Sequence, residues 1–179
     1  MGRISRRGSG KSTPSGYNNA VEFTLREAGP EDFEHLWAID QKCFPAGIAY
    51  TRRELTIYMR RRGAFTILAE ALWANEGAMI AGFVVAESNR RGAGHIITID
   101  VLPEHQRAGL GSQLLRAAED RLRQSGCLSI QLEAAVNNVA AIAFYKRHEY
   151  DVVGSIPRYY PGDLNAFVLQ KGLLSKETA

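Results

Sequence analysis

The sequence predicts an α/β domain with a mixed, mostly antiparallel sheet of six to seven strands and helices on both faces. Two observations predict this fold class. First, three apolar strand-like segments follow one another between residues 65 and 101 and are joined by turn-forming residues, which indicates an antiparallel meander. Second, a long amphipathic helix follows at residues 108–124 and leads into another strand, which indicates a parallel crossover.

The chain of 179 residues is expected to hold one folded domain at residues 21–174, flanked by a disordered basic tail at 1–20 and a short tail at 175–179. The N-terminal stretch holds four basic residues and no acid: Arg3, Arg6, Arg7 and Lys11. The rest carries 18 basic against 19 acidic residues, so the basic pI belongs to the tail. We therefore expect no nucleic-acid partner and, lacking a long apolar run, no membrane span.

The tail contains Gly8-Ser9-Gly10-Lys11-Ser12-Thr13, which looks like a phosphate-binding loop. That motif needs a glycine where this chain has Ser5, and it needs a buried strand before it. We therefore interpret the segment as a linker, with an organelle presequence as the lesser alternative. The two cysteines, Cys43 and Cys127, show no metal-binding spacing, so no metal and a cytoplasmic location are expected.

The first elements follow from local signals. Residues 23–26 alternate like a short strand, and Pro30 opens a helix that ends at the break Cys43–Gly47. Thr51, with Glu54 three residues later, predicts a capped second helix that reaches about Arg62. The three central strands are expected at Phe65–Ala71, Met79–Glu87 and His95–Val101.

The second half alternates helices and strands. The helix Ala108–Gln124 carries an apolar stripe and ends at Ser125-Gly126. The stripe consists of Leu110, Leu114, Leu115, Ala118 and Leu122. After it we expect a strand at Leu128–Ala134, a helix at Asn138–His148 and closing strands at Tyr150–Ser155 and Asn165–Gln170.

A glycine-containing loop precedes the long helix. Pro103 ends a strand, and Gln106, Gly109 and Gly111 follow where the helix begins. The first amides of a helix lack internal partners, so a loop with little side-chain bulk lets a pyrophosphate reach them, and Arg107 could add a charge. The alternative is that the two glycines only cap the helix and allow close packing.

The segment Q-R-A-G-L-G, preceded by V-L-P-E-H, resembles the acetyl-CoA motif of GNAT N-acetyltransferases, and the resemblance extends from Val21 to Leu169. It implies a GNAT-like fold and acetyl-CoA as cosubstrate. It also implies that the backbone around Val101 contacts the pantetheine arm. The pyrophosphate would contact the loop residues Gln106, Arg107, Ala108, Gly109, Leu110, Gly111 and Ser112.

Glu133 and Tyr145 are candidate catalytic residues. Thioester aminolysis needs a group that takes the amine proton and a group that protonates the departing thiolate. The segment L-E followed by N-x-x-A-I resembles bacterial ribosomal-protein-alanine acetyltransferases, and this resemblance implies Glu133 as base and Tyr145 as acid. It also implies that Asn138, Ala141 and Tyr145 face CoA. The alternative from periodicity alone is a helix that merely packs through an aromatic residue.

His95 is a rival base, since residues 95, 97, 99 and 101 share one face of an ideal strand. Asp100 points to the opposite face of that strand and is the weaker candidate. The resemblance also places two segments beside the acceptor amine. The residues expected to contact the acceptor in these segments are Phe44, Pro45, Tyr159 and Tyr160.

We expect the acceptor to be a peptide or protein N-terminus that attacks directly in a ternary complex. A small amine such as a polyamine is the alternative, and a non-catalytic CoA-binding module is a third. Two departures from the family pattern bear on this: Glu149 replaces the glycine after the last helix, and Asn165 replaces an acid. A monomer or a homodimer is compatible with the sequence.

Overall fold

A computed structural model describes residues 22–73 and 77–173, although the side chain of Trp73 is outside the description. The phosphate-loop look-alike and both predicted tails lie outside the described residues. The chain order is β1 (Glu22–Glu27), α1 (Phe33–Cys43), α2 (Arg52–Met59), β2 (Ala64–Trp73), β3 (Gly77–Ser88), β4 (Ala93–Val101), α3 (Leu110–Gln124), β5 (Ser129–Ala135), α4 (Val139–Arg147), β6 (Asp151–Tyr160) and β7 (Leu164–Gly172). Short 3-10 turns occupy Pro30–Asp32 and Pro103–His105.

The seven strands form one sheet in the order β1-β2-β3-β4-β5-β7-β6. Every neighbouring pair is antiparallel except β4 and β5, which run parallel because α3 crosses between them. The predicted meander is β2-β3-β4, and the predicted crossover is β4-α3-β5. The mixed, mostly antiparallel sheet predicted from the sequence is therefore confirmed.

Two hydrophobic clusters cover the two faces of the sheet. One packs α3 and α4 against the sheet, and all five residues of the predicted stripe on α3 are buried in it. The other packs α1 and α2 against the opposite face through Leu36, Ile39 and Leu55. Because burying one such side chain is worth about 1.5–3 kcal/mol, these clusters fix both layers of helices on the sheet.

Helix boundaries differ from the predicted ones for local reasons. The capping box predicted at Thr51 and Glu54 is present, but α2 ends at Met59 rather than near Arg62. Helix α3 begins at Leu110 rather than Ala108 because Gly109 adopts a left-handed conformation with φ 80°. At the other end of the domain, β6 runs five residues further than predicted and includes Tyr159 and Tyr160.

The turn after α4 keeps a conformation that usually selects glycine. Glu149 has φ 66°, and the amide of Tyr150 donates to the carbonyl of Tyr145, as in a Schellman motif. Glu149 lies 3.9 Å from the ammonium of Lys171. The departure noted in the sequence therefore changes the residue and leaves the type of turn unaltered.

A β-bulge in β4 changes which side chains share a face. Ala86 pairs with Ile96 whereas Val85 pairs with Thr98, so Ile97 is the extra residue. Alternation continues on either side of Ile97, but the two halves of the strand are out of phase.

The bulge overturns two predictions about this strand. Cross-strand partners share a face, and Asp100 pairs with Phe83 of the α1/α2 cluster, while Ile99 and Val101 pack on the α3 side. His95 lies on the α1/α2 face. Its cross-strand partner Glu87 is two residues after Val85 on β3 and so shares the face of Val85, which belongs to the α1/α2 cluster. The prediction that residues 95, 97, 99 and 101 share a face is therefore wrong, and so is the placement of Asp100 opposite His95.

Candidate active site

The site lies where two parallel strands separate. The pairing of β4 with β5 includes only three residue pairs and ends at His95 and Gln131. Beyond that point the two strands diverge, and both keep their other partners, β3 and β7. The divergence leaves a gap in the middle of the sheet, which connects the two faces.

A cleft of about 880 Å³ occupies this gap and is lined in part by residues of α2 and of the segment between α1 and α2. It brings together eight of the residues predicted to act in catalysis or binding. These are Phe44, Pro45, Glu133, Asn138, Ala141, Tyr145, Tyr159 and Tyr160. The predicted loop residues 106–112 are not among its lining residues and lie at the start of α3.

The loop before α3 presents a run of free backbone donors. Within residues 22–73 and 77–173, no amide from Arg107 to Ser112 donates a hydrogen bond to the backbone, and the first such bond of the helix comes from Gln113 to Gly109, at 3.1 Å. Arg107 and Gly109 both have positive φ, at 63° and 80°. Six amides in a row near the positive end of a 15-residue helix suit an anion.

The two glycines of this loop differ in what their positions require. At Gly109 a Cβ would meet open space, so the positive φ is what favours glycine there. At Gly111 a Cβ would lie 3.6 Å from the ring of Phe144, which is an ordinary van der Waals contact, so lack of space does not require glycine there. Leu110 is 1% exposed and belongs to the core, which leaves only its backbone for a ligand.

The end of β4 is held by two side-chain donors. The amide of Gln106 donates to the carbonyl of Val101 at 3.0 Å, and the thiol of Cys43 donates to the same oxygen at 3.4 Å. Ser112 hydrogen-bonds to Nε2 of His148 at 2.8 Å, which ties the first turn of α3 to the end of α4. The side chains of Gln106 and Ser112 thus have protein partners, whereas the loop amides do not.

Helix α4 carries Tyr145 into the cleft. Asn138 caps the helix, as predicted, by accepting from the amide of Ala141 at 3.1 Å. Tyr145 packs edge-on against Phe144 and Tyr150 at ring distances of 5.1 and 5.7 Å. Burial, with a smaller contribution from the carboxyl of Asp100, raises the pKa of the Tyr145 phenol well above its ordinary value of 10. The phenol therefore keeps its proton at neutral pH.

Glu133 reaches the cleft from the other face of the sheet. Its neighbours Leu132 and Ala134 belong to the α3-side core, so Glu133 points toward α2. Oε2 of Glu133 lies 2.7 Å from Nε2 of His95, and Oε1 accepts from Gln131 at 3.1 Å. The two candidate bases in the sequence are therefore hydrogen-bonded to each other.

This contact separates the pKa values of the two groups. Burial alone would raise the pKa of Glu133, but the hydrogen bond and charge of His95, aided by Gln131 and Tyr159, bring it below 4.5. Burial alone would lower the pKa of His95, but Glu133 and Glu87 together raise it above 6.5. At neutral pH Glu133 is ionised, and His95 is the group of this pair that can retain a proton.

Tyr50 forms the wall between α1 and α2. Its backbone is fixed by α1, since Asp40 accepts from the Tyr50 amide at 2.8 Å and Trp37 donates to the Tyr50 carbonyl at 3.1 Å. Its hydroxyl donates to the carbonyl of Ile97, the bulged residue, at 3.4 Å. The bulge and the α1–α2 segment are thus held together at the mouth of the cleft.

The part of the cleft between α2 and the end of β6 is aromatic. Tyr159 and Tyr160 pack edge-on at 4.9 Å across from Tyr50 and Tyr58, which are themselves 5.0 Å apart. Burial raises the pKa of Tyr159 to about 12, with a further contribution from Glu133. These hydroxyls are neutral and can donate to or accept from a polypeptide backbone.

Sequence reasoning missed Glu54, Tyr58 and Asp40 as parts of the site. Glu54 and Tyr58 line the cleft because they lie one turn apart on α2. Asp40 is fully buried and supports Tyr50. The sequence did contain a signal for Asp40, because a carboxylate occupies the apolar face of α1 beside Leu36.

Neither a metal site nor a membrane span is found in the described part of the chain. No group of three or more His, Cys, Asp or Glu side chains could hold a metal ion there. No helix among residues 22–73 and 77–173 is long and apolar enough to cross a bilayer.

The split sheet, the free amides before α3 and the single cleft that Glu133 and Tyr145 both line are the features that acyl transfer from a CoA thioester would need. The comparisons agree, because residues 33–150 match the Acetyltransferase (GNAT) family, and the chain belongs to that family. It is an N-acetyltransferase of the GNAT type.

Three members of the family illustrate what this chain is similar to. An N-alpha-acetyltransferase of Saccharolobus solfataricus is 24% identical over 85% of this chain and 94% of its own length. The [ribosomal protein bS18]-alanine N-acetyltransferase of Escherichia coli K12 is 28% identical over 57% of this chain and 76% of its own. The crystal structure of Ard1 from Thermoplasma volcanium aligns with a TM-score of 0.75 at 27% identity, covering 86% of this chain and 99% of that one.

Proposed function

We propose that the protein transfers the acetyl group of acetyl-CoA to the α-amine of a polypeptide N-terminus, by direct attack within a ternary complex. The observation that carries the proposal is the placement of Glu133 and Tyr145. They come from opposite faces of the sheet and line the same cleft in the gap between β4 and β5. A group that takes a proton and a group that gives one therefore face a common space.

The chain has the features needed to hold acetyl-CoA. The free amides from Arg107 to Ser112 suit the pyrophosphate, and the unpaired edges of the gap suit the amides of a pantetheine chain. Asn138 and Ala141, at the start of α4, line the cleft in this gap. When bound, acetyl-CoA supplies the activated acetyl thioester, and all other steps belong to side chains of this protein.

Glu133 and His95 act together as the base. Glu133 lines the cleft and can accept the amine proton, but a carboxylate with a pKa below 4.5 does not hold a proton at neutral pH. His95, whose pKa is raised above 6.5, can hold it after transfer across the 2.7 Å contact. The base is active when His95 is neutral, so activity rises as pH rises through the pKa of His95.

Tyr145 acts as the acid because its phenol stays protonated within the apolar cluster of α3 and α4. Its hydroxyl is suited to hold a proton for the departing thiolate. Cys43 lines the cleft, but burial and the nearby carboxyl of Asp100 raise its thiol pKa to about 12. A thiol in that state is a poor nucleophile, which favours direct transfer over an acetyl-cysteine intermediate.

A polypeptide N-terminus is favoured as acceptor because Tyr50, Tyr58, Tyr159 and Tyr160 surround the mouth of the cleft. Two relatives, one named an N-alpha-acetyltransferase and the other a ribosomal-protein-alanine N-acetyltransferase, support the same substrate class. The volume of about 880 Å³ would also accept a small amine, which is therefore the second candidate.

The test is acetyl-CoA turnover, measured as free thiol release, on four acceptors. These are a peptide with a free N-terminus, the same peptide with a blocked N-terminus, a blocked peptide that contains lysine, and spermidine. We expect turnover on the first acceptor only, with mass spectrometry locating one acetyl group on the α-amine. Turnover on spermidine alone would replace the substrate class, and turnover on the blocked lysine peptide would identify a side-chain acetyltransferase.

A further inference from the structure

Five exposed arginines lie together at one end of the sheet. Three follow α2 and two lie in the turn between β3 and β4. The two segments touch, because the amide of Ser88 donates to the carbonyl of Gly63 at 3.0 Å. We call this group the arginine cluster; it consists of Arg60, Arg61, Arg62, Arg90 and Arg91.

The arginine cluster carries far more positive than negative charge. Within residues 22–73 and 77–173, its one salt bridge is from Arg61 to Glu87 at 3.3 Å. Glu87 is itself shared, since Nδ1 of His95 lies 3.7 Å away. The turn that holds the last two arginines is fixed by Asn89, whose side chain accepts from the amides of Arg91 and Ala93.

The arginine cluster continues the wall of the active-site cleft. Glu54 and Tyr58 line the cleft from α2, and the Arg61 guanidinium lies 4.3 Å from the centre of the Tyr58 ring. On the sheet, contacts lead from Glu133 through His95 to Glu87 and then to Arg61. Two separate paths thus connect the acceptor side of the cleft to these charges.

The distance suits the first few residues of a polypeptide. The contacts between Glu133 and Arg61 are 2.7, 3.7 and 3.3 Å, so with the widths of the intervening groups the two ends are at most about 14 Å apart. An extended chain advances about 3.3 Å per residue. A peptide whose amine lies at Glu133 would bring about its fourth to sixth residues to the arginine cluster.

We propose that the arginine cluster selects acceptor polypeptides with acidic side chains at about the fourth to sixth positions. This inference rests on the proposed N-terminal acetylation. Guanidinium groups pair with carboxylates through two parallel hydrogen bonds, and exposed unpaired charges steer an oppositely charged partner to the site. The cluster lies beside the cleft, where an acceptor polypeptide would place its amine at Glu133. A nucleic acid has no group that needs to lie at Glu133, so the acceptor is the favoured partner.

The experiment compares two ten-residue peptides that differ only in having Asp or Asn at positions 4, 5 and 6. We expect kcat/KM to be about tenfold higher for the Asp peptide at low salt, as three weak surface pairs would produce. The ratio should fall toward one as salt is added, because exposed charges are screened. The full chain is used, and thiol release and product mass are both recorded.

Variants assign the effect to these side chains. Combined Arg60→Gln, Arg62→Gln, Arg90→Gln and Arg91→Gln should lower kcat/KM for the Asp peptide most of the way to the value for the Asn peptide. Arg61 is kept in this variant because it pairs with Glu87. The control is Arg53→Gln with Arg123→Gln, two exposed arginines outside the cluster, which should keep the tenfold ratio. Circular dichroism of each variant checks that it is folded.

Three outcomes would overturn the inference in distinguishable ways. Equal acetylation of both peptides by the wild-type chain would remove the charge preference and leave N-terminal acetylation in place. Failure to acetylate either peptide, with turnover on spermidine, would remove the proposed function and the inference with it. A third outcome is that the wild type binds a ten-nucleotide uridine RNA, the variant with four substitutions does not, and the two peptides are acetylated equally. That outcome would identify a nucleic-acid surface instead.

Discussion

Glu119 and Asp100 are both buried carboxyls, but they lie on opposite faces of the sheet and in different surroundings. Glu119, on α3, accepts from the hydroxyl of Tyr150 at 3.1 Å and from the ammonium of Lys171 at 2.9 Å. Asp100, on the α1/α2 face, accepts from Thr98, and its Oδ2 is one of two buried side-chain atoms without a hydrogen-bond partner in the described chain. The other such atom is Oδ1 of Asp40, on the same face.

This difference distinguishes the two sides of the sheet. The α3 side acts as a fixed scaffold, and on the α1/α2 side the charge of buried carboxyls can change with pH. On the α3 side the buried charge of Glu119 is matched by Lys171, so it is compatible with a fixed core. On the α1/α2 side burial raises the pKa of Asp40 to about 6 and that of Asp100 well above 3.8, so these carboxyls lie among groups whose protonation can change. That side also holds His95 and Glu133.

The largest effect on activity is expected at Tyr145, which reaches the cleft from the α3 side of the sheet. Tyr145→Phe removes the hydroxyl that we propose as the proton donor, and we therefore expect kcat to fall by about 10³-fold. The Kd for acetyl-CoA should change little, because the loop before α3 is untouched. Steady-state kinetics with calorimetric titration of acetyl-CoA would measure both. A large loss of acetyl-CoA affinity with kcat preserved would contradict the role of acid.

The next largest effect is expected on stability, when the buried ion pair of Glu119 and Lys171 on the α3 side is broken. Glu119→Leu leaves the Lys171 ammonium without its buried partner, and we expect the free energy of unfolding to fall by about 3 kcal/mol. Urea denaturation followed by circular dichroism measures this. Glu119→Gln, which keeps an acceptor for Tyr150, is the matched control and should cost less. Equal stability of the wild type and the leucine variant would show that this network is not a structural support.

The smallest effect is expected from the matched change on the other face. Because burial raises the pKa of Asp100, the folded protein keeps this carboxyl protonated at a pH where the unfolded chain has lost the proton. At about pH 3, where the carboxyl is protonated in both states, Asp100→Asn should change stability by less than about 1 kcal/mol. Above pH 3.8 an unfolded Asp100 ionises while the folded one keeps its proton, so the wild type loses stability as pH rises. The variant should therefore gain stability relative to the wild type as the pH rises above about 3.8 toward neutral. A relative loss over that range would mean that Asp100 is charged in the fold.

Local signals in the sequence were enough to predict much of the fold. Period-3.6 leucines, the capping box at Thr51 and the turn residues between strands led to the right order of elements, because each depends on neighbours in the chain. The bulge at Ile97 was not predictable, since it is defined by the register against β3. The left-handed Glu149 was missed because the sequence offers no glycine there.

The candidate site was predicted as a set of residues rather than as an arrangement. The motif placed Glu133, Tyr145 and the loop before α3, but the contact between His95 and Glu133 joins residues 38 positions apart through the short β4–β5 pairing. Treating the two as rival bases followed from their distance in sequence. The gap that forms the cleft depends on where that pairing stops, which no local pattern reports.

The pH dependence of kcat/KM in the wild type and in Glu133→Gln tests most directly whether His95 and Glu133 form one base. One peptide is used throughout, so the ionisation of its own amine contributes equally to both profiles. Because Glu133 raises the pKa of His95, its removal should move the acid limb of the profile to lower pH. Identical acid limbs in the two proteins would contradict the account and leave Glu133 without a role in proton removal.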